Sequence, residues 1–81
     1  MYFTYVLYSD AFDRLYIGHT DDLTIRLEKH NRGRVTSTKA YVPWRLIHHE
    51  EFGSRSEAMR RERELKSFRG RRFIRDQILN R

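Results

Sequence analysis

The sequence predicts an α+β fold: a small antiparallel or mixed sheet with helices packed on it, in the chain order β-β-α-β-α-α. Three observations lead there. Residues 2–8 and 14–19 are aromatic and β-branched runs joined by a short turn-like link, the pattern of a hairpin. Residues 44–52 form a third such run, closed by Gly53. Helix-like segments with capping signals follow both the hairpin and the third run.

Taken in order, the first strand is Tyr2-Phe3-Thr4-Tyr5-Val6-Leu7-Tyr8. Both of its alternating sets are largely apolar, so it is expected to be covered on both faces. Ser9-Asp10-Ala11-Phe12-Asp13 is the turn, and Arg14-Leu15-Tyr16-Ile17-Gly18-His19 the second strand. Thr20 is expected to cap the first helix, with Asp21 and Asp22 in its first turn, where carboxylates suit the positive helix end. That helix runs to about Asn31, and Gly33 stops it. A basic, Thr/Ser-containing loop over 32–43 ends at Pro43. After the third strand, Ser54-Arg55-Ser56-Glu57 is a capping box that starts a second helix running to about Phe68. Gly70 is expected to break it, leaving 71–79 as a last short helix. No repeat and no linker interrupts the chain, so 1–81 is read as one compact domain.

The 81 residues carry 17 Lys and Arg against 11 Asp and Glu, a net charge of +6. At 38% hydrophobic and 14% aromatic, the chain is lean but too aromatic and too patterned to be disordered. The absence of cysteine excludes a disulfide scaffold, a thiolate zinc site and a cysteine nucleophile, and fits a reducing compartment. No apolar run approaches the roughly 18 residues that span a bilayer. The N-terminus lacks the basic lead-in and small-residue cleavage site of a signal peptide. A soluble cytoplasmic protein is the expectation.

The charge is uneven. Residues 1–54 carry seven residues of each sign, whereas 55–81 carry ten basic against four acidic, so the whole excess lies in the last third. Nine of those ten are Arg, the better residue for bidentate phosphate contact, and the ninth is Arg81 at the end of the chain. Such a segment is either a solvated helix surface or an electrostatic footprint for nucleic acid. An anionic membrane surface is the least supported option, because no Trp/Leu-rich face opposes the arginines. Arg60, Arg61, Lys66, Arg69, Arg71 and Arg72 are the candidate nucleic-acid contacts.

On a helical wheel Glu62 falls inside the apolar arc of Leu65, Ala58 and Met59, while Glu57 and Glu64 fall on the far side. An ionised carboxylate facing a core is costly unless paired or metal-bound. Glu62 is thus either half of an internal ion pair, with Arg26 or another Arg, or a carboxylate facing a cleft as metal ligand or acid–base group. On the first helix Leu23 and Leu27 make the buried edge, and Arg26 flanks it one turn from His30. Arg26 is either a snorkelling surface residue or placed to reach across the sheet. Tyr5 and Tyr16, on the first two strands, are core residues or phenols of a site. Gly18 removes a side chain where something else must approach. The four histidines lack helical zinc-protease spacing, no serine has a nucleophile-elbow context, and there is no glycine-rich phosphate loop.

Together these residues resemble a known family. Tyr16-Ile17-Gly18 follows a Tyr-bearing strand; His19-Thr20-Asp21-Asp22-Leu23, Arg26-Leu27 and His30-Asn31 come next; Arg55-Ser56-Glu57-Ala58-Met59, Arg61-Glu62 and Leu65-Lys66 follow later. In order and spacing, over about residues 2–79, they look like a GIY-YIG nuclease domain. The small stand-alone bacterial branch, similar to the N-terminal domain of the UvrC excinuclease subunit of DNA repair, is the nearest match. The first motif reads Phe3-Thr4-Tyr5, with its glycine and aliphatic residue replaced.

The resemblance implies a three-stranded antiparallel sheet flanked by helices, and metal-dependent hydrolysis of phosphodiesters. It places Tyr5 at the end of the first motif, Tyr16 at the start of the second and His19 just after it. It makes Arg26 the helix arginine and Glu62 the single metal-binding glutamate, holding Mg²⁺ or Mn²⁺. Arg26 would grip the scissile phosphate, and Tyr5, assisted by His19, is the favoured proton acceptor. Asn80 is not assigned a role. The implied activity is that of an endonuclease on DNA, with RNA the other candidate ligand and no membrane partner. A catalytically weak or partner-dependent nucleic-acid-binding module of the same fold is the alternative, and a protein partner for targeting fits a chain this short.

Overall fold

The structure, a computed structural model, describes residues 1–80; Arg81 lies outside the described residues. Three strands, β1 (Tyr2–Ser9), β2 (Arg14–Thr20) and β3 (Arg45–Phe52), form one sheet in the order β2-β1-β3, with both pairings antiparallel. The fold is α+β, as the sequence predicts. β1 takes the central place because it is apolar on both faces, and Thr4 through Ser9 are all buried. The hairpin turn closes at Asp13, whose φ of 50° is the left-handed conformation that Asp tolerates. Its carboxylate accepts from the Tyr8 hydroxyl at 2.7 Å and from Arg75 at 3.0 Å.

The two faces of the sheet have separate cores. Register pairs Tyr5 with Gly18 and Leu7 with Tyr16 on one face, and Thr4 with His19 and Val6 with Ile17 on the other. On the first face α1 (Leu23–Asn31) brings Leu23 and Leu27 onto Tyr5, Leu7 and Trp44. On the second, α2 (Arg55–Lys66) and α3 (Phe68–Phe73) cover Val6 and Ile17 with Leu65, while Ile74 follows directly from α3. The buried Thr4 hydroxyl donates to the Ala58 carbonyl at 2.7 Å and ties α2 to the central strand. α1 ends in a Schellman motif: Gly33 at φ 72° lets its own N–H reach the His30 carbonyl and that of Arg34 reach Lys29. Asn31 then clamps the start of β3, accepting from the Trp44 N–H at 2.6 Å and donating to its carbonyl at 3.0 Å.

Three boundaries differ from the sequence reading. Thr20 remains in β2, and the α1 cap is Asp22, whose carboxylate accepts from the Ile25 N–H at 3.0 Å. A carboxylate at the cap position satisfies the free N–H and meets the helix dipole with one group, so it displaces the threonine. The loop over 32–43 contains a short 3₁₀ turn, Lys39–Tyr41. The largest correction concerns Gly70. α2 stops at Lys66 and the break is Ser67, whose hydroxyl donates to the Glu64 carbonyl at 2.6 Å and accepts from the Gly70 N–H at 3.1 Å. Gly70 lies inside α3, packed against the backbone of Glu64 and Leu65, and the chain continues through a π turn at Ile74–Ile78. The glycine is there for close approach of two helices, not to end one.

Candidate active site

β2 is an edge strand, and its last residues, Gly18-His19-Thr20, are where side chains from both faces of the sheet meet. On the α1 face the Tyr5 ring passes over Gly18. A Cβ there would stand 2.8 Å from the Tyr5 hydroxyl and 3.1 Å from the Tyr16 ring, so only glycine admits the phenol. Tyr5 is 2% exposed, and its hydroxyl meets His30 Nε2 at 2.9 Å and Arg26 Nε at 3.2 Å. Arg26 and His30, one turn apart on α1, both converge on that oxygen. The Tyr16 ring lies 6.2 Å from Tyr5 and 4.7 Å from His30, centroid to centroid.

The hydrogen bonds fix their own direction. Thr38 Oγ1 donates to the Val35 carbonyl and lies 2.8 Å from His30 Nδ1, so it accepts from that nitrogen. His30 therefore carries its proton on Nδ1, Nε2 accepts from the Tyr5 hydroxyl, and the Tyr5 oxygen accepts from Arg26. The chain runs in one sense, from the guanidinium to the loop carbonyl. The shifts agree with it. Burial, followed by the Arg26 charge, lowers His30 to about 4, which keeps it neutral. Burial pushes Tyr5 up to about 12 against the opposing hydrogen bond from Arg26. The hydrogen bond to Tyr5 raises Arg26 further above its already high value.

On the other face His19 Nδ1 donates to Glu62 Oε1 at 2.6 Å, and Lys66 Nζ to Glu62 Oε2 at 2.6 Å. Glu62 is 18% exposed. Burial would push its carboxyl up, but the Lys66 and His19 hydrogen bonds together hold it below the usual carboxylate range. Its partners are thus Lys66 and His19, not the arginine weighed from the sequence. The Glu62 charge adds the smallest of the contributions to the raised Tyr5. A groove of about 660 Å³ opens over the strand edge between His19 and Arg26, with Lys29 and Arg55 on its walls.

Tyr5, Tyr16, His19, Arg26 and Glu62 are therefore gathered around one strand edge. The basic residues fare differently. Arg61 is spent on Glu50 (2.8 and 3.1 Å) and on Glu64, and Arg72 faces Asp76 at 3.6 Å. Arg71 donates to the Lys66 carbonyl, and Lys66 belongs to the Glu62 cluster. Arg60 and Arg69 are exposed. The hydrogen-bonding role of His30 was missed as chemistry in the sequence; its i, i+4 spacing from Arg26 was the signal available. Among the described residues no three His, Cys, Asp or Glu side chains cluster in a metal-binding group, and no helix is long and apolar enough to cross a membrane.

Comparison with known proteins shows the family and the fold. The GIY-YIG catalytic domain model matches residues 1–73. UPF0213 proteins of Staphylococcus aureus, strains N315 and MW2 among them, are 42% identical over 55 residues, 67% of this chain and 67% of theirs. The solution NMR structure of a UPF0213 protein from Bacillus halodurans superposes with a TM-score of 0.54 at 33% identity, covering 91% of this chain and 82% of that one. GIY-YIG domains are nuclease domains, and small stand-alone members share this architecture. The chain belongs to the GIY-YIG catalytic domain family.

Proposed function

We propose that this chain is a metal-dependent endonuclease that hydrolyses phosphodiester bonds in DNA. The observation that carries the reading is the convergence of Arg26 and Glu62, from helices on opposite faces of the sheet, on the His19 end of β2. The donor set fits a divalent cation. Glu62 is a partly exposed carboxylate kept ionised, and it already holds an ammonium on Oε2. A single carboxylate suits Mg²⁺ or Mn²⁺, which take oxygen ligands and retain most of their waters. Bound there, the ion would supply Lewis-acid stabilisation of charge developing on the phosphodiester.

The chain's own groups have separable tasks. The Arg26 Nε is tied to Tyr5, and Tyr16 also lies against the guanidinium, so the group is held in a fixed orientation from which it can meet a phosphate. His19 directs Nδ1–H at Glu62, so in the neutral ring Nε2 carries the lone pair and is the nitrogen that can accept a proton. Proton acceptance falls to His19 more readily than to Tyr5, whose proton points inward at His30 and whose pKa is about 12. Tyr5 positions Arg26, and Tyr16, tilted against the Tyr5 and His30 rings, packs both in place.

The test is cleavage of branched, nicked and single-stranded DNA with Mg²⁺ or Mn²⁺, comparing the wild type with Glu62→Gln. Metal-dependent cleavage that disappears in the variant supports the reading; intact DNA with a protein shown folded by circular dichroism sinks it. One observation favours a catalytically weak binding module instead: both Glu62 oxygens already have partners. In that case binding, to DNA or RNA, persists in Glu62→Gln without turnover. A protein partner that targets the domain would be revealed by restored cleavage on its addition.

A further inference from the structure

Among the described basic residues of the last third, Arg61 is paired with Glu50 and Glu64, Lys66 with Glu62, Arg72 with Asp76 and Arg75 with Asp13. Cations that are both free of carboxylate partners and close to the reacting groups are a smaller set. Lys29 and Arg55 meet both conditions. Neither has a carboxylate partner among the described residues, and both line the groove whose floor carries His19 and Arg26. They come from opposite walls. Lys29 stands one turn beyond Arg26 on α1, about 5–6 Å away between β-carbons by helix geometry. Arg55 is the first residue of α2, and its guanidinium is steadied over the Tyr2 ring at 4.8 Å.

We infer that the nucleic-acid strand lies along this groove, with Arg55 and Lys29 holding the phosphates on either side of the one gripped by Arg26. The inference rests on the nuclease reading and says where its substrate runs. It moves the backbone contacts from the exposed face of α2 and α3, where composition alone puts them, to the sheet edge. Three cations lining one open groove suit a single extended strand, whose phosphates they can meet in succession. The groove also holds a carboxylate that opposes such a ligand. Asp22 is spent on the α1 cap, but Asp21 is exposed and takes no part in it. Asp21 therefore weakens binding, and it biases the strand toward the Arg55–Arg26–Lys29 side.

The experiment is fluorescence anisotropy of a labelled single-stranded oligonucleotide and its duplex against salt, in chelator so that nothing is cleaved. Every phosphate of a single strand that a cation neutralises adds about 0.7 to the steepness of the log–log salt dependence. Lys29→Gln and Arg55→Gln should each flatten the slope by about that amount, and the double variant by about twice it, with affinity down on the order of tenfold. Arg60→Gln and Arg69→Gln should leave the slope at the wild-type value. Asp21→Asn should tighten binding several-fold, an outcome that misfolding does not mimic. If Arg60→Gln and Arg69→Gln flatten the slope while Lys29→Gln and Arg55→Gln do not, the strand runs elsewhere and this inference is overturned, with the nuclease reading intact. If the wild type neither binds nor cleaves any of the DNAs, the nuclease reading falls and this one falls with it.

Discussion

Gly70→Ala separates two accounts of one residue by sign. If Gly70 only interrupted a helix, alanine there would raise helix propensity and stabilise the protein by about 1 kcal/mol. The structure demands the opposite. A Cβ at Gly70 would collide with the Glu64 carbonyl oxygen and the Leu65 Cα, and would stand 2.6 Å from the Leu65 carbonyl carbon. These are backbone atoms of α2 and cannot swing aside as a side-chain tip would. Overpacking costs about 1–3 kcal/mol, and a backbone collision belongs at the upper end, so about 3 kcal/mol is expected. An 81-residue domain has a total stability of about 4–12 kcal/mol at ordinary values per residue. The loss is therefore a quarter or more of the whole. At about 4–8 °C per kcal/mol, melting should fall by roughly 12–24 °C. Gly53→Ala is the control, because its Cβ would meet only the Glu57 carboxylate at 4.0 Å. Thermal and urea melts followed by circular dichroism provide the readout. Equal melting temperatures for the two alanine variants would refute the close-packed corner, and a gain for Gly70→Ala would restore the helix-breaker account.

Three further outcomes follow from the site. Tyr5→Phe strands a buried nitrogen on His30 and frees Arg26, so it should cost about 1–3 kcal/mol in urea denaturation and reduce cleavage as well; a change under about 0.5 kcal/mol would refute the directed chain. His30 has a folded pKa of about 4, below its ordinary value, so the unfolded chain binds more protons between about pH 6.5 and pH 4. Stability should thus be unaffected by this group above pH 6.5, fall by about 3 kcal/mol as pH drops through that window, and level off below it. Glu50 and Glu62, both held low, add losses only at still more acid pH, and His30→Gln should flatten the upper part of the curve. A wild-type stability unchanged from pH 7 to pH 4.5 contradicts the buried neutral imidazole. Lys66→Met removes the ammonium that competes for Glu62, and Mn²⁺ binding followed by electron paramagnetic resonance should tighten roughly two- to fivefold, the worth of one partly exposed ion pair. Unchanged or weaker binding would mean that Lys66 does not compete with the cation.

The fold was legible because its signals are local. The two-faced apolar character of residues 2–8 marks β1 as the central strand, and the Ser54–Glu57 capping box marks the start of α2. Boundaries failed where two residues compete for the same task. Thr20 and Asp22 are both good caps, and the choice between them depends on where β2 stops pairing with β1, which is a tertiary fact. Gly70 failed for a related reason. A glycine that ends a helix and one that lets a second helix approach are the same letter, and only the sharp turn at Ser67 decides between them.

The site divides along the same line. Glu62 stood out because a carboxylate beside Ala58 and Leu65 violates the helix's own pattern; Met59, read into the same arc, is exposed, so Glu62 lies at the margin of the buried stripe, where His19 and Lys66 meet it. Lys66 is four residues away and within reach of a helical-spacing argument; His19 is 43 residues away and reachable only through strand register. The same register explains why the two halves of the site lie so close although they belong to opposite faces of the sheet. Along β2, Tyr16 and Gly18 point to the α1 side and Ile17 and His19 to the α2 side. In the middle of a sheet such neighbours are separated by the sheet itself. At the edge no strand among the described residues pairs beyond them, so a ligand in the groove can touch both. Replacing Gly18 with any larger residue would drive Tyr5 off its bonds to Arg26 and His30, so the small residue beside His19 is what allows both sets of side chains to be served from one edge. The placement of β2 at the rim, set by the apolar β1 claiming the centre, is thus the feature of the fold on which the proposed chemistry depends.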